Sequence, residues 1–214
     1  MIKRIIFDLD DTLIPWTKRY YLGITKIAKK HGIKIKLKEL AKVADSIDIY
    51  EREYPNFKRE NVKEMVTKIS GIELTDELLD ILIDWVGTCV PKRKNKKLIE
   101  TLTYLSSKYD LVVLTNFFTT AQETRLERYG IRKYFKEVYG ADEHSKPNKE
   151  AYIMAANKTK LNECLFVGDN LVNDYEKPLK LGMEAIWLTK QKNDKRSIKN
   201  INDLRRLLWS YMKI

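Results

Sequence analysis

Apolar positions along the chain follow two rhythms. Four short runs are apolar at their centres without alternation: residues 4–8 (RIIFD), 111–115 (LVVLT), 164–168 (CLFVG) and 185–188 (AIWL). They are too short for helices and rich in β-branched or aromatic residues. That is the pattern of strands covered on both faces, as in a parallel sheet. A weaker run at 137–140 (EVYG) is a fifth candidate. Other segments carry helical spacing. Leu98, Leu102 and Leu105 recur at intervals of four and three. Ala151, Ala155 and Ala156 do so after Pro147, a favourable helix-start residue, and Ile201, Leu204, Leu207, Leu208 and Tyr211 form a C-terminal stripe. Strands alternating with helices predict an α/β, doubly wound, Rossmann-like core with a mainly parallel sheet.

One long segment breaks the alternation. From Pro15 to Pro91 no convincing strand is found, and helical stripes run through residues 17–31, 37–54, 59–69 and 75–86. Gly71 and Gly87 fall where helix ends are expected. This reads as an all-helical cap inserted after the first strand. The expected division is a catalytic core of residues 1–14 and 92–214 and a helical cap domain of residues 15–91.

Composition narrows the class. The chain has 214 residues, with 43% hydrophobic and 33% charged, an ordinary globular balance with room for a real core. A formal net charge of +11 points to acidic partners such as phosphorylated metabolites or nucleic acid. Lysines spread along the whole chain fit solvated surface better than a nucleic-acid face. The basic run 92–97 (KRKNKK) is read the same way, with an anionic substrate tail as the sharper alternative. Cys89 and Cys164 are far apart and in no metal-ligand spacing, so a reducing compartment and no disulfide are expected. No apolar stretch reaches membrane-spanning length and no secretory signal is visible, so a cytoplasmic protein with no membrane partner is expected.

Ligands of an open parallel sheet bind beyond the carboxyl ends of its strands. Asp8, Asp10 and Thr12 follow the first strand, and Thr115 and Asn116 the second. The 164–168 strand leads into Gly168-Asp169-Asn170 and Asp174. Ser145-Lys146-Pro147 follows the weak candidate. Carboxylates gathered at one edge repel: a pair about 5 Å apart costs roughly 3 kcal/mol at an effective dielectric near 20. They must take up protons or share a cation. Oxygen ligands with no His or Cys nearby in sequence suit a hard cation, Mg²⁺ by default. Such a cation, Lys146 and the Thr115 hydroxyl can hold a phosphate. One carboxylate facing it is a candidate nucleophile, and a second a candidate proton donor and acceptor.

With these residues in place the chain resembles the haloacid dehalogenase-like superfamily, in its phosphatase branch with a small helical cap. The match runs over nearly the whole chain through Asp8-Leu9-Asp10-Asp11-Thr12, Leu114-Thr115-Asn116, Ser145-Lys146-Pro147 and Gly168-Asp169-Asn170 with Asp174. The resemblance implies Asp8 as nucleophile and Mg²⁺ ligand. It implies Asp10 as general acid/base that also lends its backbone carbonyl to the metal. Thr115 and Asn116 would contact the phosphoryl group, Lys146 would bridge Asp8 and the phosphate, Asp169 would bind Mg²⁺, and Asp174 would support the metal site. Members that remove halide from carbon generally lack a carboxylate at the position of Asp10, since halide needs no proton, whereas an alkoxide does. The expected function is therefore Mg²⁺-dependent hydrolysis of a small phosphorylated metabolite through a phospho-aspartate. The alternatives are a nucleotide or nucleic-acid-end phosphatase, or a phosphomutase using the same intermediate. Asp11 stands where the family often has glycine and is read as a turn-capping residue.

Other residues weigh differently. Asp174 is also a candidate helix N-cap. His144 is read as a surface-loop residue and His31 as a polar residue at a helix end. Trp16, Tyr20, Tyr21, Tyr50, Tyr54 and Trp85 are expected mainly in the cap interior. Trp16 and Tyr20, which flank the first motif, are candidates to touch substrate.

Overall fold

The computed structural model describes residues 1–33, 35–53, 57–191 and 195–211. Six parallel strands make one sheet: β1 (Arg4–Phe7), β2 (Asp110–Leu114), β3 (Glu137–Tyr139), β4 (Cys164–Gly168), β5 (Glu184–Leu188) and β6 (Ser197–Ile198), in the order β3-β2-β1-β4-β5-β6. β1 lies at the centre, with Ile5 opposite Leu111 on one side and Leu165 on the other. The strand order reverses direction at β1, so the crevice for ligands opens there. The backbone pairing runs one residue beyond the strand ends: Asp8 N–H donates to the Val167 carbonyl and Thr115 N–H to that of Tyr139, both at 3.0 Å.

The sheet is covered on both faces, which is why its strands read as unbroken apolar runs. Ile5, Phe7, Val113 and Val167 pack with Leu98, Leu102 and Leu105 of α5 (Lys96–Ser106) and with Ile201, Leu204 and Leu208. Those last two leucines belong to α8 (Asp203–Tyr211); the Tyr211 side chain of the expected stripe lies outside the described residues. Ile6, Val112, Leu114 and Phe166 pack on the other face with Ala151, Tyr152 and Ala155 of α7 (Lys149–Ala156). Pro147 does not open α7. It follows a cis peptide bond, and the helix starts at Lys149 after Asn148. β6 was not expected: two residues between polar neighbours carry no periodicity, and the strand exists through its pairing with β5.

Between β1 and α5 the described chain holds four α-helices and no strand. These are α1 (Tyr21–Lys30), α2 (Leu37–Glu53), α3 (Arg59–Ser70) and α4 (Asp76–Thr88). α3 ends at Gly71 as expected. Gly87 does not end a helix; α4 continues to Thr88. A Cβ at Gly87 would lie 3.1 Å from the Thr124 methyl of α6 (Thr119–Tyr129), so the missing side chain lets α4 sit close against a helix of the sheet layer. The two layers are further joined by aromatic edges. Phe57 lies 6.1 Å from Phe117 and 5.9 Å from Phe118, ring centre to ring centre.

Candidate active site

The residues beyond the strand ends meet at one place. Lys146 is its hub: the ammonium donates to Asp8 Oδ1 and to Asp174 Oδ1, each at 2.7 Å. All three side chains are buried. Burial works against the charge of Lys146, but the Asp174 and Asp8 carboxylates outweigh it and hold the lysine pKa well above the ordinary value. Burial raises the Asp8 carboxyl, with Lys146 pulling the other way. Asp174 is fixed from behind, since its Oδ2 accepts from Asn170 N–H at 3.0 Å. A Cβ on Gly168 would stand 2.3 Å from that same Oδ2, so β4 must end in glycine for Asp174 to reach the hub. Asp174 is not an N-cap. Asn170 caps the π-helical turn Leu171–Glu176 by accepting from Val172 and Asn173 N–H.

Carboxylate oxygens of Asp8, Asp169 and Asp174 lie within 4.8 Å of one another. Burial pushes the Asp169 carboxyl up to about 6, with Asp174 and Asp11 adding to the effect. A hard divalent cation suits this set: the donors are all oxygen, they crowd unfavourably without a counter-charge, and Asp169 is exposed enough to admit an ion.

Thr115 and Asn116 form the adjoining wall. Asn116 Oδ1 accepts from Lys146 N–H at 3.0 Å and its Nδ2 donates to the Lys146 carbonyl at 3.3 Å, which locks the β2 and Lys146 loops together. Gln122 Nε2 donates to the Asn116 carbonyl at 2.8 Å and to the Thr115 hydroxyl at 3.3 Å. Asp11 turns the chain: its φ is +54°, and its carboxylate accepts from Trp16 N–H at 2.9 Å. That is the structural part expected of it. Thr12 is buried and does not line the cavity.

Sequence reasoning missed Arg125. Its guanidinium is fully buried and donates twice to Asp10, to Oδ1 at 2.6 Å and Oδ2 at 2.9 Å. It also donates to the Cys89 carbonyl at 3.0 Å and to Gln122 Oε1 at 2.9 Å, and it lies 5.2 Å from the Trp16 ring centre. One signal was available. Gln122 and Arg125 occupy the buried face of α6 together with Ala121, Leu126 and Tyr129, where a helix packed on a sheet otherwise carries apolar residues.

A cavity of about 650 Å³ opens over Asp8. Its floor includes Asp8, Asp10, Thr115, Asn116, Lys146 and Asp169. Its roof comes from α1, α2 and α4, with Tyr21, Asp48, Glu51 and Trp85, and Trp16 stands at the side. Trp16 thus faces the cavity and Tyr20 does not; the Tyr20 carbonyl accepts from Trp85 Nε1 at 2.9 Å. Tyr50 is buried beside Phe57, and Tyr54 lies outside the described residues. His144 is exposed and His31 pairs with Asp84 at 3.0 Å. The basic run stays in solvent, and Asn95 caps α5 within it. Cys89 and Cys164 are buried free thiols. Among the described residues no helix is long and apolar enough to cross a membrane.

Comparison with known proteins shows which families and folds the chain is similar to. The chain is 34% identical over 99 residues to the 5-amino-6-(5-phospho-D-ribitylamino)uracil phosphatase YigB of Escherichia coli, a stretch spanning 44% of this chain and 40% of that enzyme. It is 26% identical to the glyceraldehyde 3-phosphate phosphatase of Methanopyrus kandleri over 95% of this chain and 91% of the relative. The crystal structure of the putative HAD-hydrolase YfnB from Bacillus subtilis shares the fold, with a TM-score of 0.68 at 19% identity over 97% of this chain and 98% of that one. A family model for haloacid dehalogenase-like hydrolases matches residues 2–176, and the chain belongs to that family.

Proposed function

We propose that this chain is a Mg²⁺-dependent phosphoric monoester hydrolase acting on a small phosphorylated metabolite through a phospho-aspartate at Asp8. The observation that carries the reading is the pairing of two carboxylates with different surroundings at the floor of one cavity. Asp8 is fixed by Lys146, and Asp10 by Arg125. The relatives named above are phosphatases, which agrees with it.

Asp8 attacks phosphorus with the carboxylate oxygen not committed to Lys146. An oxygen–phosphorus bond forms and the bond to the leaving alkoxide breaks. Asp10 gives a proton to that alkoxide, later takes one from the water that attacks the aspartyl phosphate, and so returns to its starting state while inorganic phosphate leaves. Both Asp10 oxygens are taken by Arg125, so delivering a proton requires that one of these bonds be given up. Lys146, Thr115 and Asn116 hold and orient the phosphoryl oxygens. When bound by Asp8, Asp169 and the Asp10 carbonyl, with Asp174 behind them, the divalent cation supplies positive charge against the phosphoryl group. Residues 15–91 serve as a cap that excludes water, hinged near Pro15 and Cys89–Pro91; the bond from Arg125 to the Cys89 carbonyl supports a link between that hinge and Asp10.

The test is phosphate release from p-nitrophenyl phosphate with Mg²⁺ and with EDTA, for the native protein and Asp8→Asn. Activity should require Mg²⁺ and fall by at least about 10³-fold in Asp8→Asn. Equal activity in all four conditions overturns the reading.

A further inference from the structure

We infer that the roof of the cavity selects a neutral, hydroxyl-rich leaving group and rejects one carrying a carboxylate or second phosphate, with Glu51 as the specificity-determining residue. The inference rests on the phosphatase reading and deepens it.

The face that α2 turns to the cavity runs Ala44, Ile47, Asp48 and Glu51, the spacing of one helical stripe. Its outer part is small and apolar, and its inner part is acidic. The Glu51 carboxylate lines the same cavity as Asn116, whose side chain favours its ionised form, which brings a residue of α2 to the wall that holds the phosphoryl site. Charges in the cavity do not cancel evenly. Arg125 is spent on Asp10 and Lys146 on Asp8 and Asp174. Arg52 also lines the cavity and offsets Asp48. Glu51 is left facing the space where the leaving group must lie, and among the described residues no ion pair holds it. Burial and the charges of Asp10 and Asp48 push its carboxyl up to about 7, consistent with a setting that disfavours further negative charge.

Ionised, as it is above about pH 7, the Glu51 carboxylate offers acceptors only, so it then suits hydroxyl donors and repels anions. The opposite side of the roof is aromatic. Trp85 lies 6.0 Å from Trp16 and 5.2 Å from Tyr21, ring centre to ring centre, a surface suited to the C–H face of a polyol or sugar. An acidic strip facing an aromatic one fits a polyhydroxyl chain or ring without a second anionic group.

The experiment compares kcat/KM at about pH 8.5, where Glu51 is ionised, within matched pairs that differ only by a carboxylate in place of a hydroxymethyl group: glycerol 3-phosphate against 3-phosphoglycerate, and glucitol 6-phosphate against 6-phosphogluconate. Ethanolamine phosphate is included as a cationic competitor. The neutral member of each pair should lead by about tenfold or more. Glu51→Gln should shrink the lead by at least about threefold, and Glu51→Lys should reverse it. Ratios taken within one preparation are insensitive to the fraction folded. Equal or better turnover of the acids, no turnover of either neutral member, turnover of ethanolamine phosphate below that of the acids, or an unchanged ratio in Glu51→Gln overturns the inference. If p-nitrophenyl phosphate, which asks nothing of the roof, is not hydrolysed either, the phosphatase reading has failed instead.

Discussion

Single side chains decide whether the hub forms. Gly168 is the sharpest case. In Gly168→Ala the new methyl would meet Asp174 Oδ2 at 2.3 Å, and Asp174 can yield only by leaving Lys146. The expected outcome is a folded protein with kcat lowered by about 10²-fold or more, since Lys146 loses one of its two anchors. Steady-state kinetics beside circular dichroism checks it; unchanged kcat would show that the Asp174–Lys146 bond is dispensable. Arg125 makes a second case. Arg125→Lys keeps the charge but cannot reach Asp10, Cys89 and Gln122 together. Its kcat should fall about tenfold, and that of Arg125→Met about a hundredfold. If Arg125→Met matches the native enzyme, Asp10 needs no positioning by α6. These two residues differ in legibility. Gly168 stood inside a recognisable motif, so its neighbourhood was expected. Arg125 looked like one more arginine in a basic chain, and only burial separates it from the solvated ones. Glu51 was hidden for another reason: its partner Asn116 is distant in sequence, and α2 reads equally well as a plain surface helix.

Helices α1 to α4 were legible to within a few residues because each carries a full apolar stripe, whereas the sheet was legible only where its strands are buried on both faces. β1, β2, β4 and β5 supplied unbroken runs. β3, whose end residues are half-buried, gave a weak signal, and β6 gave none, because pairing rather than composition makes it a strand. The error at Gly87 is of the same kind: a glycine read locally as a helix stop is in fact a contact with a distant helix. Helix ends also settle the basic run. α5 opens with Lys96 and Lys97, unfavourable partners for a helix N-terminus, and Asn95 offsets them by accepting from Leu98 N–H at 3.2 Å. Asn95→Ala should therefore cost about 1 kcal/mol, a fall of about 2–4 °C in Tm. Asn95 is exposed and lines no part of the cavity over Asp8, so kcat/KM should not change. A melt indistinguishable from native would mean that water caps α5 as well as Asn95 does.

On the scale of the whole molecule, the chain keeps a knot of negative charge inside a protein of net charge +11. Among the described residues Lys146 is the one cation bonded within that knot, and it is shared by two carboxylates. The consequence for stability follows from Asp169. Burial raises its carboxyl to about 6, above the unfolded value of about 3.9. An acid raised on folding binds its proton more tightly in the folded state, so its contribution favours folding at acid pH and is lost as pH climbs from about 4 through about 6. The shift amounts to about 3 kcal/mol at face value. Asp169 is well exposed, so solvent screening reduces that to about 1 kcal/mol. A divalent cation held by these ionised carboxylates would reverse the sign: bound only in the folded state, it would stabilise by mass action. Two linked outcomes are expected from thermal melts across pH. In EDTA, native Tm should fall relative to Asp169→Asn by about 2–4 °C between pH 4.5 and pH 7. With millimolar Mg²⁺, native Tm should rise more at pH 7.5 than at pH 5, and Asp169→Asn should lose most of that rise. A rise equal at both pH values, or intact in Asp169→Asn, would place the cation elsewhere than on the Asp8, Asp169 and Asp174 oxygens.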